Sequence, residues 1–230
     1  MTKVIIALHR PGLDDVLRGE PLRDGLAATG ATALQVNVDD APVAEALRFG
    51  PAAPVTALVS VWTAGSPGAV IDVVRRATGE DEVHAWSVAE HVRLDGARVA
   101  DGTRADVLAQ VALLRRPEAM APEDYLDYWM VEHTPIAIRT QNTSAYVQNV
   151  VLERLTEATP VVSGIVEEHF PMEAISDSHA FYGSRGDRAE RDRRIAELMA
   201  SVARMGADQG LDLVPTSRYR WSLAGTGNAS

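Results

Sequence analysis

The sequence predicts an α+β fold of two fused ferredoxin-like (βαββαβ) halves whose sheets close on each other into one barrel. Three observations predict it. First, short segments recur in the same order along the 230 residues. Ala7-Leu8-His9-Arg10-Pro11 returns as Leu113-Leu114-Arg115-Arg116-Pro117, and Ala33-Leu34-Gln35-Val36-Asn37-Val38 as Ala145-Tyr146-Val147-Gln148-Asn149-Val150. Thr56–Trp62 returns as Ser163–His169, and Val83–Val88 as Arg218–Leu223. Second, strand-like and helix-like stretches follow in the order of the split βαβ unit. Third, such a sheet carries helices on one face and leaves the other apolar, so two of them in one chain can cover each other.

Each element has a local reason. Val4–Leu8 and Val107–Leu114 are apolar runs rich in β-branched residues, as buried strands require, and each ends in an Arg-Pro turn. Pro122–Arg139 reads as a helix: Pro122 suits its first turn, and Glu123 and Asp124 favour the positive end of its dipole. Tyr125, Leu126, Trp129, Met130 and His133 then recur along one face. Strands are expected near Ala145–Leu152 and Val161–Phe170. A second helix is expected at Asp187–Gly206, with Ile195, Leu198, Met199, Val202 and Met205 as its apolar stripe and Gly206 as C-cap. A strand at Arg218–Leu223 closes the half. In the first half Pro11 and Pro21 stand closer together than Pro117 and Pro135, which shortens the first helix by about two turns. The polar stretch around Leu94–Arg104 carries two glycines and reads as a linker. The expected division is a half at 1–94, a linker at 95–105, a second half at 106–225 and a disordered tail at 226–230.

Composition narrows the function. Lys and Arg number 22 against 32 Asp and Glu, a net charge of −10, which disfavours a nucleic-acid or anionic-membrane partner. No stretch approaches the roughly 20 apolar residues of a membrane helix, and no signal peptide is evident, so a cytoplasmic protein is expected. Cysteine is absent and Lys3 is the sole lysine, so thiolate and Schiff-base chemistry have almost no candidates. Histidine, carboxylate and tyrosine remain.

His133 is the first catalytic candidate: an imidazole at the edge of an apolar helix face, just before a Thr134-Pro135 irregularity, suits a general acid or base. The competing reading is a structural histidine near a helix end. Glu167 and His169 share one face of a strand by its period of two, so they either line a cavity or form a structural pair with Arg115, Arg116 or Arg220. Tyr125, Trp129, Tyr146 and Trp221 are candidate substrate-binding residues, because aromatics are scarce at 12 in the chain and cluster in the second half; Gln148, which interrupts an apolar strand, joins them as a group to orient a carbonyl or hydroxyl. Core packing competes for Trp129 and Trp221. Asn149 matches Asn37 and reads as architectural. No HExxH or His-x₃-His spacing occurs; a triad of His133, Glu167 and His169 is the one conceivable metal set. The run Arg185–Arg194 contains acidic partners and reads as a solvated helix face. There is no Gly-rich dinucleotide fingerprint, P-loop or GxSxG context.

The second half resembles the EthD family of the dimeric α+β barrel superfamily. The resemblance lies in Leu113-Leu114-Arg115-Arg116-Pro117, in Pro122–Trp129 with Glu132-His133-Thr134-Pro135, and in Gly164–Phe170. It departs at Ser163, where Asp is usual, and at His169, where Trp is usual. It covers residues 107–223 and only faintly the first half, where Gly19 or Glu20 stands at the place of His133. The resemblance implies a His-based site in the second half, with the first half completing the barrel. With the residue reading, it leads to the expectation of a small cofactor-independent enzyme. General acid–base catalysis there would serve cyclisation, dehydration or oxygenation of a hydrophobic aromatic or polyketide-like molecule. Alternatives are an oxidoreductase component with haem or a divalent metal, and a non-catalytic binding protein. The expected assembly is a monomer with an internal pseudo-dimer, or a homodimer.

Overall fold

The computed structural model describes residues 1–50 and 54–223; the tail expected at 226–230 lies outside them. Eight antiparallel strands form one closed barrel: β1 (Thr2–Leu8), β2 (Ala31–Val38), β3 (Ala57–Thr63), β4 (His84–Leu94), β5 (Leu108–Leu114), β6 (Ala145–Arg154), β7 (Gly164–Phe170) and β8 (Asp212–Ser222). Around the barrel they run β1-β3-β2-β8-β5-β7-β6-β4, so β4-β1-β3-β2 and β8-β5-β7-β6 are two sheets of the same order. The seams are β2 with β8 and β4 with β6, where the two 11-residue strands run beyond their own sheets. The fold class expected from the sequence is the one observed.

The first half carries α1 (Asp14–Arg18), α2 (Glu20–Ala27) and α3 (Pro67–Thr78). The second carries α4 (Pro122–Asp127), α5 (Thr134–Thr140), α6 (Ser178–Tyr182) and α7 (Arg188–Arg204). Pro135 does not end the helix. Between α4 and α5 the backbone widens into a π-helical turn, Tyr128–His133, and Thr134 Oγ1 donates to the Trp129 carbonyl (2.7 Å). Such turns absorb an extra residue and re-aim side chains. Asp187 caps α7 by accepting from Glu190 N, and Arg193 and Arg194 pair with Glu190 on its solvent face. Past α7, Gly206 adopts a φ of +70°.

Strand residues are buried on both faces because one points into the barrel and the other under helices. Ile5, Leu58, Trp86, Val111, Leu113, Ile165 and Val214 fill one end of the barrel interior. Leu34, Val36, Val59 and Val61 pack under the helices of the first half; Ala112, Tyr146 and Val166 pack under those of the second.

The pairings put three of the sequence echoes in equivalent registers: Val36 opposes Val59 as Gln148 opposes Val166, and Ile5 opposes Ser60 as Val111 opposes Glu167. The fourth echo is out of register. Ile5 opposes Trp86, whereas its counterpart Val111 opposes Val214, so Val214 and not Trp221 holds the place of Trp86. Among the described residues no helix is long and apolar enough to cross a membrane.

Candidate functional sites on the two faces of β7

The period of two on β7 divides the predicted catalytic residues. Ile165, Glu167 and His169 point into the barrel; Val166 and Glu168 point toward the helices. His133 comes from the helix layer, so the sheet separates it from Glu167 and His169. The expected single site of His133, Glu167 and His169 is therefore two sites. The metal triad fails for the same reason: among the described residues no three His, Asp or Glu side chains converge.

The helix-side site is a cavity of about 510 Å³ in the second half, with a mostly apolar wall. Trp129 and His133 of the π-turn, Tyr146 of β6, Glu168 of β7, and Leu198 and Val202 of α7 line it. Gly164 lets Trp129 lie flat on the sheet, since a Cβ there would stand 2.4 Å from the indole ring. His133 Nδ1 and the Tyr128 hydroxyl both lie 2.9 Å from Ser201 Oγ, which fixes the imidazole against α7. Burial lowers the His133 pKa to about 4, so the ring is neutral at pH 7. Burial raises that of Glu168 to about 8, and the Tyr146 phenol opposite it is raised well above its ordinary value by burial and by the nearby Glu168. With its amide turned as its neighbours require, Gln141 donates to Glu168 Oε1 (3.0 Å). The Trp129 indole N–H is buried and acts as a hydrogen-bond donor toward the Tyr146 phenol.

Of the residues expected to bind substrate, Trp129 and Tyr146 line this cavity. Tyr125 is fully buried beside Trp129, ring centroids 6.3 Å apart, and its hydroxyl meets no partner among the described residues. Gln148 is on the helix face but away from the lining; its Oε1 accepts from Arg93 Nε (2.8 Å), which leaves from the bulged end of β4. Trp221 is elsewhere. β8 overruns its sheet to pair with β2, which places Trp221 under the helices of the first half, stacked on Tyr219 with Arg23 above it. Asn149 is architectural in its bond, donating to the Ile165 carbonyl (3.1 Å).

Sequence reasoning missed Glu168 and missed the first half's share of the cavity. Alternation on β7 was the available signal for Glu168. Leu47 and Phe49 also line the cavity, because Phe49 bridges to Leu213 of β8 through both backbone hydrogen bonds. Nothing local in the sequence marks that contact. In the first half the register equivalents of Tyr146 and Glu168 are Leu34 and Val61, both buried in its apolar core.

The barrel-side site occupies the other end of the barrel interior. Glu167 Oε1 accepts from His169 Nε2 (2.6 Å) and lies 3.2 Å from Arg218 Nε; its Oε2 accepts from Gln35 Nε2 (2.6 Å). The structural partner is thus Arg218, not Arg115, Arg116 or Arg220. Burial acts to raise the Glu167 pKa, but the bond and charge of His169, with Arg218 and Lys3, bring it down to about 2. Lys3 pairs with Glu90 at 2.7 Å, and burial lowers its pKa.

This architecture defines a dimeric α+β barrel built within one chain. No family model and no curated protein matches the sequence. Among solved structures, an anthrone oxidase-like protein is similar over all of this chain and 95% of its own, with TM-score 0.58 and 12% identity; at that identity the fold is what is shared. A Lactobacillus acidophilus protein assigned as a monooxygenase matches at TM-score 0.49 and 11% identity, over 97% of this chain and 96% of its own. A Fusobacterium nucleatum protein with the same assignment matches at TM-score 0.48 and 6% identity, over 97% and 94%.

Proposed function

We propose that this chain is a small cofactor-independent enzyme of the oxygenase or oxidase kind, acting in the helix-side cavity on a flat hydrophobic molecule with an acidic C–H or O–H. The observation that carries the reading is Glu168: a carboxyl group of pKa about 8 in a largely apolar cavity walled by Trp129 and Tyr146. A general base works best when its pKa lies near the working pH. Ionised Glu168 takes the proton, neutral His133 holds a substrate oxygen or relays the proton, and the indole N–H of Trp129, beside the Tyr146 phenol, donates to the developing oxyanion. The aromatic wall of the cavity and the name of the anthrone oxidase-like neighbour support an aromatic ketone as substrate class.

For an aryl-flanked CH₂, proton removal leaves a delocalised carbanion that reduces dioxygen. One CH₂ and one O₂ then give one C=O and one water. Cyclisation or dehydration would begin with the same proton removal. Glu167 and His169 lie across the sheet and take no part in this step. The test is incubation with anthrone in air, following oxygen uptake and quinone absorbance, beside the visible spectrum of the purified protein. Turnover by colourless protein, abolished in Glu168→Gln, is expected. Binding of anthrone without oxygen uptake would overturn the oxygenase reading in favour of a carrier; a haem or metal absorption band would overturn cofactor independence.

A further inference from the structure

The barrel interior changes character along its length. One end is packed with Ile5, Leu58, Trp86 and Ile165. The other remains open as a cavity of about 450 Å³, within the range of roughly 300–1,000 Å³ typical of small-molecule sites. Residues 95–101, between β4 and β5, pass along its mouth. Gly96 lies so close to the wall that a Cβ there would stand 2.9 Å from the Cβ of Ala145 and 3.1 Å from His169 Nδ1.

We propose that this polar end of the barrel is a second ligand site, taking a small molecule with a carboxylate or phosphate oxyanion, separate from the helix-side cavity. The argument is one of unmatched donors. The carboxylates of the inner wall are spent within the protein. Glu167 receives His169, Arg218 and Gln35, and Glu90 receives Lys3 (2.7 Å) and the Trp62 indole (3.0 Å). At the mouth Asp101 accepts from Ser222 N (2.7 Å), and exposed Asp95 and Arg98 cancel in charge.

Two cations remain with bonding capacity. Arg218 uses its Nε on Glu167 and Gln35, leaving its terminal nitrogens. Arg220 lies over the Trp62 ring at 4.5 Å and pairs with no carboxylate among the described residues. The two alternate on β8 and so point the same way, about 7 Å apart along the strand. A guanidinium fork matches carboxylate and phosphate oxygens. The four carboxylates of the lining balance its four cations in number, but none of them reaches the Arg220 guanidinium or the terminal nitrogens of Arg218, so the ligand has to bring the acceptors.

The test is isothermal titration of the full chain with inorganic phosphate and, separately, with succinate, at ionic strength held constant with chloride. One or both are expected to bind, one per chain, about tenfold or more weaker in Arg220→Gln and unchanged in Glu168→Gln. Phosphate alone binding assigns a phosphate ester, succinate alone a carboxylate. No binding of either at millimolar concentration, or equal affinity in Arg220→Gln, overturns the proposal. Arg220 is exposed, so the variant should melt cooperatively. If it does not, Val147→Phe, which fills the cavity from β6, must abolish binding, and retained binding there overturns the proposal.

Discussion

Glu167 and Glu168 are neighbours in the chain, yet they face opposite sides of β7, and the first is held at about 2 while the second is raised to about 8. Glu167 is buried inside the barrel and Glu168 is half-buried in the wall of the helix-side cavity. The difference is company: Glu167 has His169, Arg218 and Lys3, whereas burial of Glu168 is not offset by a nearby cation. One side of the strand holds a permanent anion and the other a carboxyl group able to exchange a proton near neutral pH.

Glu168 should make the protein less stable as pH rises. Its folded value lies above the ordinary 4.5, so the folded state holds a proton that the unfolded state has lost between about 4.5 and 8. Stability falls across that window and levels off above it. Glu168→Gln should therefore raise the melting temperature at pH 9 by several degrees, at roughly 2–4 °C per kcal/mol, with little change at pH 4. Turnover should fall by about 10²–10⁴. Equal melting shifts at both pH values would contradict the raised pKa.

Glu167 has the opposite sign. Its folded value is depressed, so its contribution is present above 4.5 and lost as pH falls toward about 2. Glu167→Gln should cost about 3 kcal/mol at pH 7, as removal of one partner from a buried ionic network does. It should also flatten the acid limb of the stability profile. Chemical denaturation between pH 2 and 7 measures both.

His133→Ala should lower kcat by about 10²–10⁴ in a protein that still unfolds cooperatively. The wild-type imidazole, with pKa about 4, is neutral through the working range, so its loss should scale the pH–rate profile above pH 5 without moving it. Unchanged turnover in folded His133→Ala would remove the residue from the mechanism.

Phe49 reaches the second half's cavity from the first half while its ring stays half exposed, at 52%. Phe49→Ala should raise KM severalfold and leave the melting temperature nearly unchanged, since little of the ring's burial is lost on substitution. A large loss of stability with unchanged KM would show that the residue serves packing instead.

Gly164→Ala places a methyl group 2.4 Å from the Trp129 ring. Overpacking of this kind costs about 1–3 kcal/mol. Displacement of Trp129 should also blue- or red-shift its fluorescence, and an unperturbed spectrum would place the indole elsewhere.

Much of the fold was legible because its causes are local. Apolar runs ending in Arg-Pro, the cap at Asp187 and the 3–4 spacing of Tyr125, Trp129 and His133 specify elements within a few residues. Trp129, His133 and Tyr146 line one cavity because the helix and β6 that carry them meet in the same half. Glu168 was passed over in favour of Glu167 and His169, although alternation already placed them on different faces. The choice of face rested on which one held the site, and a strand covered on both sides does not mark that in its residues.

By itself, then, the amino-acid sequence determined the two runs of strands and helices and the apolar stripes, because period, cap and turn act over a few residues. Only the tertiary structure decided that β8 overruns its sheet and carries Trp221 to the other half, and that Phe49 crosses to the cavity. It also decided that β7 separates His133 from Glu167 and His169. Those outcomes depend on how the barrel closes, and closure is set by the pairing of strands far apart in the chain.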